Sequence, residues 1–498
     1  MLKKSGLSAR ELFKRGVGIT YDDFTTLNTT FSDITREQVD LTSDLGKGVV
    51  LKIPIIAAPM DTVANARLCI ALALQGGIGG LHYNHRDSSG NVVVNPQIEE
   101  IKAVKRYQNG FVDNPVSVSP DMRIQEVIEL GIKRKVGDSN LTTFPVTDNG
   151  QSNGKLVGLL TKRDYWNGYK THLSVGERMI PLRKLVTVDS SVTLDRAREE
   201  MWKHHIDTLP VVDKDGRLRY IVTRSDIAKL AEFPNSTRDE QNRLRVLFAV
   251  STWKKDYERL ERGFDAGADG VIIDSSQGFT RHEKEMIDYI KRKYGDKLLI
   301  GGNVSTKEAA LFLDRNKIDA YRCGQGSGSI CTTAGQIGVS RAGATAVYEC
   351  ALALKGKRLK TLADGGIKQP GDISKALFLG ASAVMLGKML AGTDEAPGET
   401  QIDPSSGLLV KIYRGMGSAE ANAGSMRGYT KLPEGVSGRV AYRGKLGDWI
   451  PKVMDGVRHA FEIHNFRSID EAHEALYSRK LRFERRTEGS LRESLPTV

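Results

Sequence analysis

The chain has 498 residues, 40% of them hydrophobic and 27% charged, enough to bury several cores without disulfide or metal staples. Its net charge of +12 suits a small phosphorylated anion, and no basic–aromatic motif accompanies it to make nucleic acid the main partner. The four cysteines, Cys69, Cys323, Cys331 and Cys350, have no Cys-x-x-Cys or Cys-x-x-His spacing, which excludes a zinc module and a disulfide framework and favours a reducing compartment.

The first residues, Met1–Gly6, run into mixed charge rather than an apolar stretch, and no run of ~18 apolar residues occurs, so neither a secretory leader nor a membrane span is expected. The cytoplasm is the expected location. Short apolar runs then begin, each closed by Gly, Ser or Asp: Ile53–Ala58 and Gly76–Leu81. The pattern breaks for an internal repeat. Phe144–Asp148 leads through a turn to Leu156–Asp164, and Leu209–Asp213 leads through Gly216 to Tyr220–Asp226. Each copy is preceded by a further pair of matching runs, Val116–Pro120 and Leu185–Asp189, and by a helical pattern: Ile124, Val127, Ile128 and Ile132 in one, Leu194, Ala197 and Met201 in the other. Each copy therefore reads strand, helix, strand, turn, strand, helix. The pair resembles tandem cystathionine-β-synthase-type (CBS) modules, a Bateman domain, over about residues 112–232. The resemblance implies regulatory purine nucleotides, with Asp164 and Asp226 as candidates for their ribose; the alternative is a pair that only packs or mediates assembly.

Beyond the repeat the apolar runs resume at Val246–Val250, Val271–Asp274, Leu298–Asn303, Ala320–Gly324, Thr361–Asp364 and Ala383–Gly387. Helix-length segments lie between them, among them Trp253–Ala268, Arg281–Lys293 and Lys307–Lys317. Eight strands alternating with helices predict an α/β fold, a closed (β/α)8 TIM barrel, with the tandem CBS domain inserted. The expected division is 1–111 and 233–498 for the barrel and 112–232 for the insert. Glycine, at 51 residues, is in excess and gathers at the ends of these strands, at Gly301, Gly302, Gly324, Gly326, Gly328, Gly365, Gly366 and Gly387. Chemistry in such a barrel sits there, and glycine amides there suit a phosphate.

The sharpest feature is Gly324–Thr333, a glycine-dense loop holding Cys331 with Thr333 two residues on. A cysteine so placed can reach a planar substrate, and the hydroxyl can position water or a leaving group; a buried structural thiol is the alternative. At this loop the chain is identified as a member of the inosine-monophosphate dehydrogenase and guanosine-monophosphate reductase family. The likeness rests also on Tyr21–Phe24, Pro59–Val63, Asp274–Ser276, Gly301–Val304, Ala363–Ile367, Met389–Gly398, Tyr413–Gly417 and Pro433–Gly435, and covers essentially the whole chain.

The resemblance implies that Cys331 attacks C2 of a purine mononucleotide, GMP or IMP, to form a covalent thioimidate. It implies that Thr333 and Glu434 activate water or ammonia, and that Arg427 and Tyr429 are the nearest match to the Arg-Tyr pair of a mobile flap. Asp364 would hold the ribose hydroxyls, and Asn303, Gly365 and Gly415 would be further substrate-binding residues. Ser329, Gly366, Gly387, Lys388 and Tyr413 would hold phosphate, and Met416 and Gly417 would lie at the base. Asp274, Ser275, Ser276, Gly324 and Gly326 would face the nicotinamide cofactor. The carbonyls of Gly326, Gly328 and Cys331 resemble a monovalent-cation site, with K+ as the ion. Homotetramers, pairing into octamers through the inserted modules, are the family's assemblies.

Direction divides the family. Dehydrogenases carry a longer flap with an adjacent Arg-Tyr pair that replaces the departed cofactor and activates water. Here only residues 414–433 separate Tyr413 from Glu434, and Gly428 splits Arg427 from Tyr429. Ala58 stands where dehydrogenases usually have serine, and Ala334 where Arg or Gln commonly follows the threonine. These features favour a GMP reductase using NADPH. The insert, Tyr413–Gly417 and Thr393–Gly398 are dehydrogenase-like, so an IMP dehydrogenase using NAD is the alternative. A nucleotide-sensing relative without turnover is the second.

Overall fold

The computed structural model describes residues 5–494 except 15, 88–91, 108–111, 114, 134–140, 166–168, 225, 226, 228–231 and 423–431. The chain divides into two compact units: residues 1–105, 235–239 and 244–498 form the first, and residues 106–234 and 240–243 the second.

Eight parallel strands close the barrel of the first unit: β1 (Ile55–Ala57), β2 (Ile78–Leu81), β3 (Val246–Val250), β4 (Gly270–Ile273), β5 (Leu298–Val304), β6 (Ala320–Cys323), β7 (Lys360–Asp364) and β8 (Ala383–Leu386). They follow one another around the ring in chain order, β8 pairing β1 and β2 pairing β3. All eight runs read from the sequence are barrel strands. They read as continuous apolar runs because helices cover the outside while the inside is packed, so both faces are buried. Alternate residues point inward: Ile56, Ile78, Leu247, Ala249, Ile272, Leu298, Ile300, Ala320, Leu362, Ala383 and Met385 fill the barrel. The hairpin of Ser43–Asp44 and Val50–Leu51 adds Leu45, Val49 and Leu51 to that cluster. Lys47 donates to the carbonyl of Gly295, just before β5, which places this plug at the end where strands begin. The opposite end is left for chemistry.

The antiparallel strands Leu409–Arg414 and Ser437–Ala441 rise beside that open end. The basic stretch Arg479–Arg486 contributes Arg482–Arg485, which pairs with Phe24–Leu27 and joins the two ends of the chain. No helix among the described residues is long and apolar enough to cross a membrane.

The second unit holds two sheets. Phe144–Thr147 pairs Leu156–Leu160, which pairs Ile180–Pro181. The other runs Val188–Asp189, Thr208–Val212, Leu218–Thr223, Val112–Asp113. Each repeat thus borrows an edge strand from outside its own hairpin. The hairpins meet edge to edge: Leu156 N–H donates to Gly216 O and Leu218 N–H to Gly154 O, both at 3.0 Å, over a shared core of Leu156, Leu218 and Ile221.

The repeat departs from its expected pattern in three places. Val116–Pro120 contributes only a single bridge, Val118 to Val146. Residues 162–164 of the first copy form a turn, because Asp164 Oδ2 accepts both the N–H and the hydroxyl of Thr161, at 2.7 and 2.8 Å, and closes the backbone locally. Ile132 is 48% exposed, since it falls on the last helical turn where Gly131 faces inward.

Candidate active site

The inward parity of the strands carries past the apolar core into a polar layer at their C-terminal ends. Two residues beyond Ile272, Ala320 and Leu362 stand Asp274, Arg322 and Asp364. Arg322 joins the two acids, Nη1 to Asp274 Oδ1 at 2.7 Å and Nε to Asp364 Oδ2 at 3.0 Å. Burial opposes the guanidinium charge, but Asp364 and then Asp274 outweigh it and hold Arg322 above its ordinary pKa. Asn303 Nδ2 donates to the same Asp364 oxygen at 2.8 Å. Both bonds fall on Oδ2, so Oδ1 of Asp364 is left for a ligand, as a carboxylate meeting a vicinal diol requires. Arg322 was missed in the sequence; a lone arginine at an inward position of a buried strand is the signal that finds it.

The cysteine loop follows β6. Gly324 has φ +155°, and a Cβ there would lie 1.9 Å from the carbonyl oxygen of Asp364, so only glycine lets the loop pass the end of β7. Cys331 N–H donates to Gly328 O at 3.0 Å, a tight turn that presents the thiol, which is partly exposed. Its Sγ lies 3.0 Å from Thr333 Oγ1, and Thr333 Oγ1 donates to Glu434 Oε2 at 2.9 Å. Threonine has a single hydroxyl proton. With that proton on Glu434, the thiol is the donor toward Thr333, and the three groups form a relay from sulfur to carboxylate. Glu434 is delivered by backbone pairing: Thr332 N–H donates to Glu434 O at 2.9 Å, Glu434 N–H to Gly417 O at 3.0 Å, and Val436 N–H to Ile330 O at 3.0 Å.

Opposite the thiol, Tyr413 is buried with its hydroxyl 3.8 Å from Met60 Sδ. Burial pushes its phenol up, the Asp364 charge adds to this, and Ser329 and the Lys388 N–H act the other way. That hydroxyl, the Ser329 side chain, the amide at the start of the helix Lys388–Ala391 and the exposed Lys388 make a donor cluster suited to phosphate. Gly365, at φ +90°, has room for no side chain, a Cβ meeting Ser327 Oγ at 2.6 Å. On the other side Ser275 O accepts Asn303 N–H at 2.8 Å, and Ser276 O accepts Gln325 Nε2 at 3.1 Å.

One cavity of about 470 Å³ is lined by all the described barrel residues that the family resemblance assigned to catalysis, substrate, cofactor or cation, whereas Gly301 and Gly302 do not line it. Arg427, Tyr429 and Asp226 lie outside the described residues, and Asp164 belongs to the second unit. Trp253 and His282, which sequence reasoning did not single out, also line the cavity, their ring centroids 5.4 Å apart. They give it an aromatic wall beyond Asp274. No periodicity marks them, because both sit where loops turn into helices.

A thiol with a hydroxyl–carboxylate relay, a carboxylate for a diol, a phosphate cradle and an aromatic wall at the mouth of a barrel define an enzyme that works on a nucleotide through a cysteine. Residues 18–497 match the IMP dehydrogenase / GMP reductase domain, and the chain belongs to that family of NAD(P)-dependent oxidoreductases. The inosine-5'-monophosphate dehydrogenase of Aquifex aeolicus is 39% identical over 96% of this chain and 94% of its own length. That of Schizosaccharomyces pombe is 37% identical over 99% and 94%. A solved structure of a GMP reductase cysteine-to-alanine variant from Trypanosoma brucei, in complex with guanosine 5'-monophosphate, has a TM-score of 0.88 and 33% identity, covering 98% of this chain and 99% of that one.

Proposed function

We propose that the protein is a cytoplasmic GMP reductase: GMP + NADPH + H+ gives IMP + NH3 + NADP+. The observation that carries this reading is the closed base of the segment that follows Tyr413. Glu434 N–H donates to Gly417 O, and Ser418 bridges Gly435, which leaves at most residues 419–433 for a flap. A dehydrogenase needs a flap that reaches into the cofactor's place to activate water; a reductase does not.

In this reading the phosphate lies on the amides of Gly366 and Gly387 with Ser329, Lys388 and Tyr413, and Asp364 Oδ1 takes the ribose hydroxyls. Asn303 and Gly365 shape the ribose wall; Gly415, Met416 and Gly417 lie at the base. Cys331 attacks C2 of the guanine. Its proton passes through Thr333 to Glu434, which returns it to the departing amino group, so ammonia leaves and a thioimidate remains. Asp274, Ser275, Ser276, Gly324 and Gly326 would hold the nicotinamide cofactor, which when bound would supply the hydride that reduces C2. Cys331 then departs as the leaving group and IMP is released. Arg427 and Tyr429, which lie outside the described residues, are assigned to the short flap by their place in the sequence.

The carbonyls of Gly326, Gly328 and Cys331 would take K+, whose role is to order the cysteine turn. The second unit is assigned as a CBS pair holding regulatory purine nucleotides at Asp164 and Asp226, with Asp164 Oδ1 as the free acceptor, in a homotetramer that pairs into octamers. The alternative, an IMP dehydrogenase using NAD and water, is favoured by the names of the 36–39% identical relatives. Purified protein is tested with GMP plus NADPH and with IMP plus NAD, following nicotinamide absorbance. Loss of signal in the first pair alone supports the reductase, gain in the second alone supports the dehydrogenase, and neither leaves a nucleotide sensor.

A further inference from the structure

The cysteine loop opens with Gln325 between two glycines of positive φ, Gly324 at +155° and Gly326 at +72°. Glycine backbone of that kind holds no single conformation by itself, so the bonds of Gln325 decide where this part of the loop lies. Its backbone carbonyl accepts the Arg341 N–H at 2.9 Å, and Arg341 Nη1 reaches the carbonyl of Ser305, directly after β5, at 2.7 Å. Ser305, itself buried, donates its hydroxyl to Gln325 Oε1 at 3.0 Å. With the oxygen end of the amide taken there, the nitrogen end turns to the loop after β4, and Nε2 donates to Ser276 O at 3.1 Å.

We propose that Gln325 is a positioning residue for the nicotinamide cofactor, fixing the Ser275–Ser276 edge of its site against the cysteine loop; this rests on the reading that the cofactor lies against those serines. The carbonyls of that edge are held from two sides, Ser275 O by the Asn303 N–H at 2.8 Å and Ser276 O by Gln325. Of these two anchors, Gln325 is the one that comes from the loop carrying the thiol. Hydride transfer needs the nicotinamide set against the purine carbon, and a misplacement of about 1 Å can cost such a step about 10²-fold in rate. The thiol end of the loop has separate anchors, the Cys331 N–H on Gly328 O at 3.0 Å and the Thr332 N–H on Glu434 O at 2.9 Å. Loss of the Gln325 side-chain bonds therefore falls on the cofactor and spares the nucleotide.

Gln325→Met removes both side-chain bonds, whereas Gln325→Glu keeps the acceptor for Ser305 and turns a carboxylate oxygen toward Ser276 O. Each is made in the full-length Cys331→Ala chain, so that ligands are measured without turnover. Kd for GMP is read by equilibrium dialysis and Kd for NADPH by its fluorescence with GMP present, while Tm and circular dichroism establish that each variant is folded. Both substitutions are expected to weaken NADPH about tenfold or more and to leave GMP within about twofold; with Cys331 restored, KM for NADPH should rise by the same factor.

Equal weakening of GMP and NADPH would overturn the proposal, because Gln325 would then only build the loop, and so would unchanged NADPH affinity in either variant. Failure of the reductase reading is distinguishable, since wild type would then reduce NAD with IMP and leave NADPH unoxidised with GMP. The same titrations are in that event made with IMP and NAD. Weaker NAD binding at unchanged IMP affinity upholds the positioning role, and parallel loss or no loss overturns it.

Discussion

Cys331 has one neighbour that matters for its proton, Thr333, and Thr333 has one for its own, Glu434. Replacing Glu434 with Gln removes the end of the relay while keeping its shape; kcat should fall by ~10²–10⁴, the usual share of a general acid–base group, with little change in nucleotide affinity. Cys331→Ala should abolish turnover yet still bind nucleotide, as equilibrium dialysis would report; retained turnover would contradict the mechanism. These residues were legible in the sequence because a cysteine in a glycine loop is conspicuous. Arg322 was not, since one arginine within an apolar run gives no periodic signal, although it fixes Asp274 and Asp364 together. Arg322→Met removes the cation that bridges two largely buried carboxylates and should cost about 3–5 kcal/mol in urea unfolding. It should also raise KM for the nucleotide, because Asp364 keeps only the Asn303 amide to hold it.

Between elements, the helix Arg281–Tyr294 is locked to β5 by Glu283, whose Oε1 accepts the Gly302 N–H at 2.8 Å while Oε2 makes no hydrogen bond among the described residues. Burial pushes the Glu283 carboxyl well above its ordinary 4.5. The unfolded chain ionises near that ordinary value and the folded chain does not, so the contribution is fully present below it and is lost as pH rises toward the folded pKa. Glu283→Gln keeps the acceptor and cannot ionise. Its Tm relative to wild type should therefore climb as pH rises above the ordinary carboxyl value, and a pH-independent difference would contradict the assignment. At this scale the barrel strands were readable because strands buried on both faces are unbroken apolar runs. The repeat was readable in its hairpins but not in its edges. Val112–Asp113 and Ile180–Pro181 are two-residue strands whose pairing depends on chain brought from elsewhere, and no local pattern encodes that.

For the whole molecule, the barrel closes without any strand from the second unit. Near the points where the insert leaves and rejoins, Lys105 pairs with Asp239 at 3.0 Å and with Asp269 at 2.9 Å, and Arg245 pairs with Asp269 at 3.2 Å. This buried cluster holds the two ends of the barrel chain in place. Replacing residues 106–234 with a short flexible linker should leave a folded barrel with turnover within a few-fold of wild type. It should also remove any response of the rate to added purine nucleotides. A chain that no longer folds would show that the insert supports the barrel.

In the proposed reduction ammonia is the first group to leave, before any hydride arrives. The most direct measurement is the intact mass of the protein after acid quenching with GMP alone. The account predicts an adduct on Cys331 equal to GMP less ammonia, with one ammonia released per adduct and none in Cys331→Ala. An absence of adduct with GMP, together with an adduct that forms from IMP only when NAD is present, would contradict it and identify the dehydrogenase.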